Sequence, residues 1–329
     1  MTVRMLLALA CALLVAAPTA QAAGAYRAPR TAHGQPDLQG VWNTNFVLPL
    51  EAAASGALPL VMPEAEARAY AQQLAVGIRS LKALEQDPEV AELSHKAEAA
   101  GLGRVRGQRR TRQLVQPMDG RLPLTPGARR LITMVETGLR FSTEAPFPTD
   151  GPEQRPNWER CVVGQGQPPI GIVTDINPRQ IVQTRDAVVI LSEYGPDLRV
   201  IPFTDRHGGH IAQASPLGDS IARWEGETLV IETKGLPARD ALRPVPTFLV
   251  PASATVIERY TRVSDKALLY QYTVVDPSVY TAPWLAEYEM ARSDQPLYEF
   301  ACHEGNFSLP NILAGARQQD RERAAAATR

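Results

Sequence analysis

The chain lacks the marks that would tie it to a familiar cofactor or a charged polymer. Its 34 Lys and Arg balance 35 Asp and Glu, for a formal charge of −1, so no global field suits it to nucleic acid. It has no Gly-rich phosphate loop, no dinucleotide fingerprint and no Cys-based metal or haem motif, which sets ATP, NAD and haem chemistry aside. No segment approaches the ~18 uninterrupted apolar residues of a membrane-spanning helix. Cysteine is scarce, three in 329 residues. Proline is abundant, and its 28 residues argue against a mostly helical bundle and predict long ordered loops. A hydrophobic content of 44% with 21% charged residues is that of a globular chain.

Arg4 precedes an apolar run from Met5 to Ala17, and Pro18-Thr19-Ala20-Gln21-Ala22 follows. A positive start, a short apolar stretch and an Ala-x-Ala exit predict a secretory signal peptide over 1–22. Cys11 lies in that run, but Ala8 stands where a lipidation site wants a bulky aliphatic residue. Export leaves Cys161 and Cys302, an even pair in an oxidising compartment. A disulfide between them is expected, with two buried thiols as the alternative. The mature chain reads as periplasmic or secreted, with no membrane insertion.

Residues 23–329 read as a single domain. Over 23–150 an extended arm leads to a short strand at Val41-Trp42, then to helices. One helix is expected from Pro63 to about Asp87, with Leu74, Ile78 and Leu81 on one stripe. A second runs from Pro88 to Gly101, and a third from Pro126 to about Thr137, stopped by Gly138. The arginines over 104–112 read as a solvated surface segment. Residues 144–171 read as irregular chain pinned by Cys161. From about 179 the period becomes two. Strands are expected at Gln180–Arg185, Ala187–Glu193, Leu198–Thr204, Arg223–Glu225, Thr228–Thr233, Val256–Val263, Leu268–Val275, Trp284–Arg292 and Leu297–Cys302. The fold class is mainly β: an antiparallel barrel or sandwich, with an N-terminal helical segment and a C-terminal helix over 307–329. Gly40-Val41-Trp42 also resembles the opening of lipocalin-type barrels, so a calycin-like outline is considered.

Several stretches together resemble a large family of exported, mostly uncharacterised bacterial proteins. They include Gly34-Gln35-Pro36-Asp37-Leu38-Gln39-Gly40-Val41-Trp42, Arg223-Trp224-Glu225-Gly226 and Cys302-His303-Glu304-Gly305-Asn306. The resemblance implies a secreted β-rich protein and brings no settled reaction. Relatives often place a His-Asp pair after the Glu of the second hairpin strand. Here that stretch is Glu193-Tyr194-Gly195-Pro196-Asp197, with Pro196 at the His position, so His207 and His210 are the substitutes to consider.

His303 and Glu304 are the first candidates for chemistry. His exchanges protons near neutral pH and Glu orients it, and a bridge at Cys302 would hold both at the end of the last strand. The alternative is that they satisfy backbone groups beside the bridge. Asp205, His207 and His210 form a second group, for proton transfer or, with a further ligand, a metal; no metal site is assigned. Gly218-Asp219-Ser220 reads as a turn, from which Asp219 could face a pocket. Arg223, Arg262, Trp224 and Tyr194 are the candidate substrate contacts. Alternation puts Glu258, Tyr260 and Arg262 on one face and Arg259 on the other, without saying which face is inside. The leading expectation is an exported acid–base enzyme, a lyase, isomerase or hydrolase, acting on a polar-aromatic or glycan-derived small molecule without an organic cofactor. The alternatives are a lipocalin-like barrel binding a hydrophobic compound and an envelope interaction protein.

Overall fold

The computed structural model describes residues 26–44, 46–52, 58–79, 101–136, 147–172, 178–195, 197–208, 215–244 and 247–328. The signal segment with Cys11, nearly all of the helix expected from Pro88, Gly138, Pro196 and His210 lie outside the described residues. After the arm come β1 (Gly40–Asn43), β2 (Val61–Met62) and α1 (Glu64–Arg79). Glu64 and Glu66 occupy the first turn of α1, where carboxylates meet the positive helix end. Then follow β3 (Arg104–Val105), β4 (Gln108–Arg110), β5 (Leu114–Gln116) and α2 (Pro126–Glu136). The β-rich part holds β6 (Arg179–Gln183), β7 (Ala187–Ser192), β8 (Asp197–Pro202), β9 (Asp219–Glu225) and β10 (Thr228–Lys234). It continues with β11 (Leu242–Pro244), β12 (Thr247–Leu249), β13 (Thr255–Ser264), β14 (Ala267–Val275) and β15 (Trp284–Ser293), before α3 (Ser308–Ala327). None of the described helices is long and apolar enough to cross a membrane.

Two expectations from the sequence are corrected. Leu297–Cys302 is not a strand: β15 ends at Ser293, and Cys302–Gly305 form a turn. Pro296 has no N–H to give a ladder, and the Tyr298 amide donates to the Glu193 carboxylate at 2.7 Å instead. The arginines over 104–112 are a solvated segment only in part: Arg104 and Arg106 are exposed, while Arg110 and Arg112 are buried. Arg104 and Arg109 clamp Glu64 of α1, and Arg110 pairs with Glu287 at 2.8 Å. Arg112, buried, donates to the carbonyls of Leu58, Leu114 and Met118. Irregular chain needs such donors, because its carbonyls have no ladder partner.

The main sheet runs in the order β8-β7-β6-β1-β15-β14-β13-β10-β9, with β5 also paired to β15. Neighbours are antiparallel throughout. With nine strands on that path, the two edge strands run in the same direction. Among the described residues they meet at an isolated parallel bridge, Phe203 to Ala222.

Alternation along these strands builds one buried face. Leu229, Tyr260, Tyr270 and Tyr288 form one row across it, and Ile231, Glu258, Tyr272 and Ala286 the next. Tyr270 touches the rings of Tyr260, Tyr272 and Tyr288 at 4.8, 5.4 and 5.0 Å between centroids. Trp42 and Trp284 are also fully buried. Each such side chain contributes about 1.5–3 kcal/mol over its exposed state.

A charged pair lies within this apolar and aromatic face. Arg199 of β8 reaches Glu258 of β13 at 2.6 Å, with side chains 2% and 0% exposed. Arg199 also donates to Ser220 of β9 and Thr233 of β10, each at 3.2 Å. Tyr260 and Tyr270 donate to Glu258 at 3.1 and 2.9 Å. Burial pushes both phenols well above their ordinary range, so they remain donors. The outward Arg259 is instead a partly exposed partner of Glu225 at 2.8 Å.

The segment 157–170 packs over this face. The Tyr270 hydroxyl accepts from the Ile170 amide and Tyr288 donates to the Ile170 carbonyl, both at 2.9 Å. The segment is also fastened by the Cys161–Cys302 disulfide, which closes a sequence separation of 141.

Two stability outcomes follow. Glu258→Gln should cost on the order of 3–5 kcal/mol in urea unfolding, because it strands a buried guanidinium. Arg259→Gln should cost less than about 1 kcal/mol; equal costs would contradict the burial assigned here. Reduction of the disulfide should lower stability by on the order of 5 kcal/mol by the chain-entropy relation, read as a fall in the denaturant midpoint.

Candidate functional site

The sequence candidates fall in two places. The first is the end of the sheet where β8 and β9 meet. After the Phe203 bridge the chain leaves β8 and passes over the outward face of β9 and β10. This brings the half-buried His207 ring between two carboxylates. Its Nδ1 lies 3.2 Å from Asp219 Oδ2 and its Nε2 lies 3.3 Å from Glu232 Oε1. The Gly208 amide donates to the same Asp219 oxygen at 2.6 Å. Lys234 holds Glu232 at 2.6 Å, and that hydrogen bond keeps the Glu232 carboxyl below its usual range. A neutral imidazole can donate to one of its two carboxylates and an imidazolium to both.

His207 and Glu232 line an open cleft of about 630 Å³ together with Arg185, Phe203, Arg223 and Trp224. Phe203 and Trp224 lie 6.4 Å apart between centroids, tilted by 31°. Arg223 is turned to Glu225 at 2.7 Å. Asp205 is exposed and faces Arg206 at 3.7 Å. Among the described residues no group of three or more His, Cys, Asp or Glu is set to hold a metal ion.

The second place surrounds the disulfide. His303 and Glu304 sit in the exposed turn after Cys302, not at the end of a strand. Among the described residues neither side chain makes a hydrogen bond or ion pair. It is Asn306 that works here, donating to the Glu159 carbonyl at 2.8 Å and accepting from the Leu309 amide at 3.2 Å. Tyr194 lies beside this turn, its ring 4.2 Å from that of Phe300. Arg262 belongs to neither place. It is buried, stacks over Trp42 at 5.9 Å and donates to the Asp37 carbonyl at 3.0 Å.

Glu232, Arg185 and Phe203 were not singled out by sequence. Glu232 carried a signal, since it interrupts the apolar run of β10 on the face opposite Leu229 and Ile231. Arg185 and Phe203 carried none, because only the tertiary path of the loop brings them to His207. No family model, no curated protein and no solved structure matches this chain.

Between the two places lies Asp197 at the start of β8. It is buried, and it accepts from the Gly164 and Gly166 amides at 2.9 and 2.7 Å. Burial outweighs these bonds and pushes its carboxyl up to about 6. The folded state therefore holds a proton that the unfolded chain releases near 3.8. Stability tied to this group is full below about pH 4 and lost as pH rises through about 6. Relative to Asp197→Asn, the native protein should lose on the order of 3 kcal/mol between these limits. Urea midpoints of the two proteins at successive pH values would measure it, and parallel curves would refute it.

Proposed function

We propose that this chain is an exported acid–base enzyme whose proton carrier is His207. One observation carries the reading: the imidazole is held between the Asp219 and Glu232 carboxylates in the lining of an open cleft. Histidine exchanges protons near neutral pH. Flanked this way, both ring nitrogens face carboxylates, so a proton passes between the ring and a substrate through Glu232, which lines the cleft where a small polar molecule has room. Lyase, isomerase and hydrolase steps all use such a carrier. Asp219 orients the ring, and Glu232 is its second partner.

The role expected of His303 and Glu304 moves to His207. Those two side chains face solvent in a turn without a described partner, and nothing orients them for proton transfer. The disulfide and the lack of a membrane-crossing helix among the described residues support a periplasmic or secreted location. The resemblance to an exported bacterial family, carried by Arg223-Trp224-Glu225-Gly226 and Cys302-His303-Glu304-Gly305-Asn306, belongs to the same reading.

The finer reading of the sheet is a calycin-like barrel, curled until its edges touch at Phe203 and Ala222. Its inside differs from that of a hydrophobic-ligand carrier. Where such a carrier keeps a cavity, this face holds Tyr260, Tyr270, Tyr288 and the Arg199–Glu258 pair. That occupancy favours chemistry at the rim over storage of a ligand in the middle.

The test is a mass-spectrometric screen of the mature, oxidised protein against an extract of its native growth medium. A compound consumed by the wild type and by His303→Ala should be spared by His207→Ala, with turnover down at least ~100-fold and melting unchanged. Full turnover in His207→Ala would remove the assignment.

A further inference from the structure

We propose that the His207 cleft takes a small aromatic carboxylate, with Arg185 as its anion contact and Trp224 as its apolar face. For the ligand's chemical fate this rests on the acid–base reading; for its binding it does not.

The charges around the cleft are mostly spent on one another. Lys234 is taken by Glu232, Arg223 by Glu225, and Asp205 faces Arg206. Arg185 is the exception: among the described residues its side chain makes no hydrogen bond or ion pair. Its backbone is nonetheless firmly placed. Thr184 Oγ1 accepts from the Asp186 and Ala187 amides at 3.3 and 3.0 Å, and the Phe203 amide donates to the Asp186 carbonyl at 2.9 Å. The turn carrying the free guanidinium is thus tied to the residue that forms the aromatic wall.

The Trp224 ring also lines the cleft, while its Nε1 atom is shut off from it and has no hydrogen-bond partner among the described residues. Arg185 is therefore the donor that calls for oxygen acceptors. A carboxylate matches the planar fork of an arginine bidentately. The half-buried rings of Trp224 and Phe203 offer a surface on which a flat ring gains offset or edge contacts. A bare phosphate would answer the guanidinium but leave these rings wet, so a ring bearing a carboxylate fits the whole lining.

Sodium benzoate is the probe, titrated calorimetrically and by indole fluorescence into the mature oxidised protein, with benzyl alcohol and inorganic phosphate as comparators. The expected result is saturable benzoate binding that exceeds both comparators. Its fluorescence change should vanish in Trp224→Phe. Arg185→Gln should weaken it about tenfold, the loss of one charge-assisted contact. Arg185 sits exposed on a turn, so unchanged melting will show that the fold is intact. Benzoate bound no better than benzyl alcohol or phosphate, or bound equally by Arg185→Gln, would overturn the inference. The arms also separate the two proposals. Turnover that depends on His207 without benzoate preference would remove this inference alone. Arg185-dependent benzoate binding, with no consumption of any aromatic acid, would keep the site and remove the enzyme.

Discussion

A guanidinium and a carboxylate sealed inside the sheet hold together what the backbone leaves open. Among the described residues the strand ladder joins β8 to β9 at one bridge. Arg199 crosses that seam: from β8 it reaches Ser220 on β9, Thr233 on β10 and Glu258 on β13. Burying two charges is expensive and yields little net stability by itself. The geometry is what they contribute, because a pair that must be satisfied tolerates no other arrangement of the edge strands. Tyr260 and Tyr270 complete the carboxylate, so the pair also fixes how the aromatic rows stack.

From that pair the constraints pass outward through hydrogen bonds. Tyr270 donates to Glu258 and accepts from Ile170, which ties the buried charge to the segment over the sheet. That segment continues to Gly166 and Gly164, whose amides end on Asp197 at the start of β8. Asn157 and Gln167 reach the same target, Asp240, from either side of it. The disulfide then joins Cys161 to the turn before α3. Irregular chain rich in proline cannot satisfy its own backbone; here buried carboxylates accept from its amides and the disulfide tethers it.

The strands were largely readable, because period-two alternation is a local property of the chain. Eight of the expected runs coincide with β6–β10 and β13–β15. What alternation leaves undetermined is the inside. On β8 the usual signs are inverted: Arg199 is 3% exposed, while Leu198 and Val200 are 54% and 62% exposed. On β13 both faces carry polar residues, so Glu258 and Arg259 could not be ranked by composition. The strand position expected of His303 differs for a related reason: a disulfide fixes the Cys302 backbone and leaves the next side chain free to face solvent. The His207 cleft was half readable. His207, Asp219, Arg223 and Trp224 were singled out, while Arg185 and Phe203 arrive from a hairpin and an edge strand whose meeting is tertiary.

These features bear on where chemistry can sit in such a sheet. A face filled with buried tyrosines, tryptophans and a paired charge is occupied by the protein's own side chains. Arg199, Glu258, Tyr260 and Tyr270 are bonded to one another or to the neighbouring strands, so a substrate entering there would have to break those bonds. The rim at Phe203 and Ala222 carries no such obligation. There the ladder ends, the chain after β8 lifts His207 against the outside of β9, and among the described residues Arg185 remains without an acceptor. A rigid interior and an uncommitted rim are complementary. The first holds the strands that carry Asp219 and Glu232 at a fixed spacing, and the second leaves Glu232, the partner of the imidazole, in the lining of the cleft.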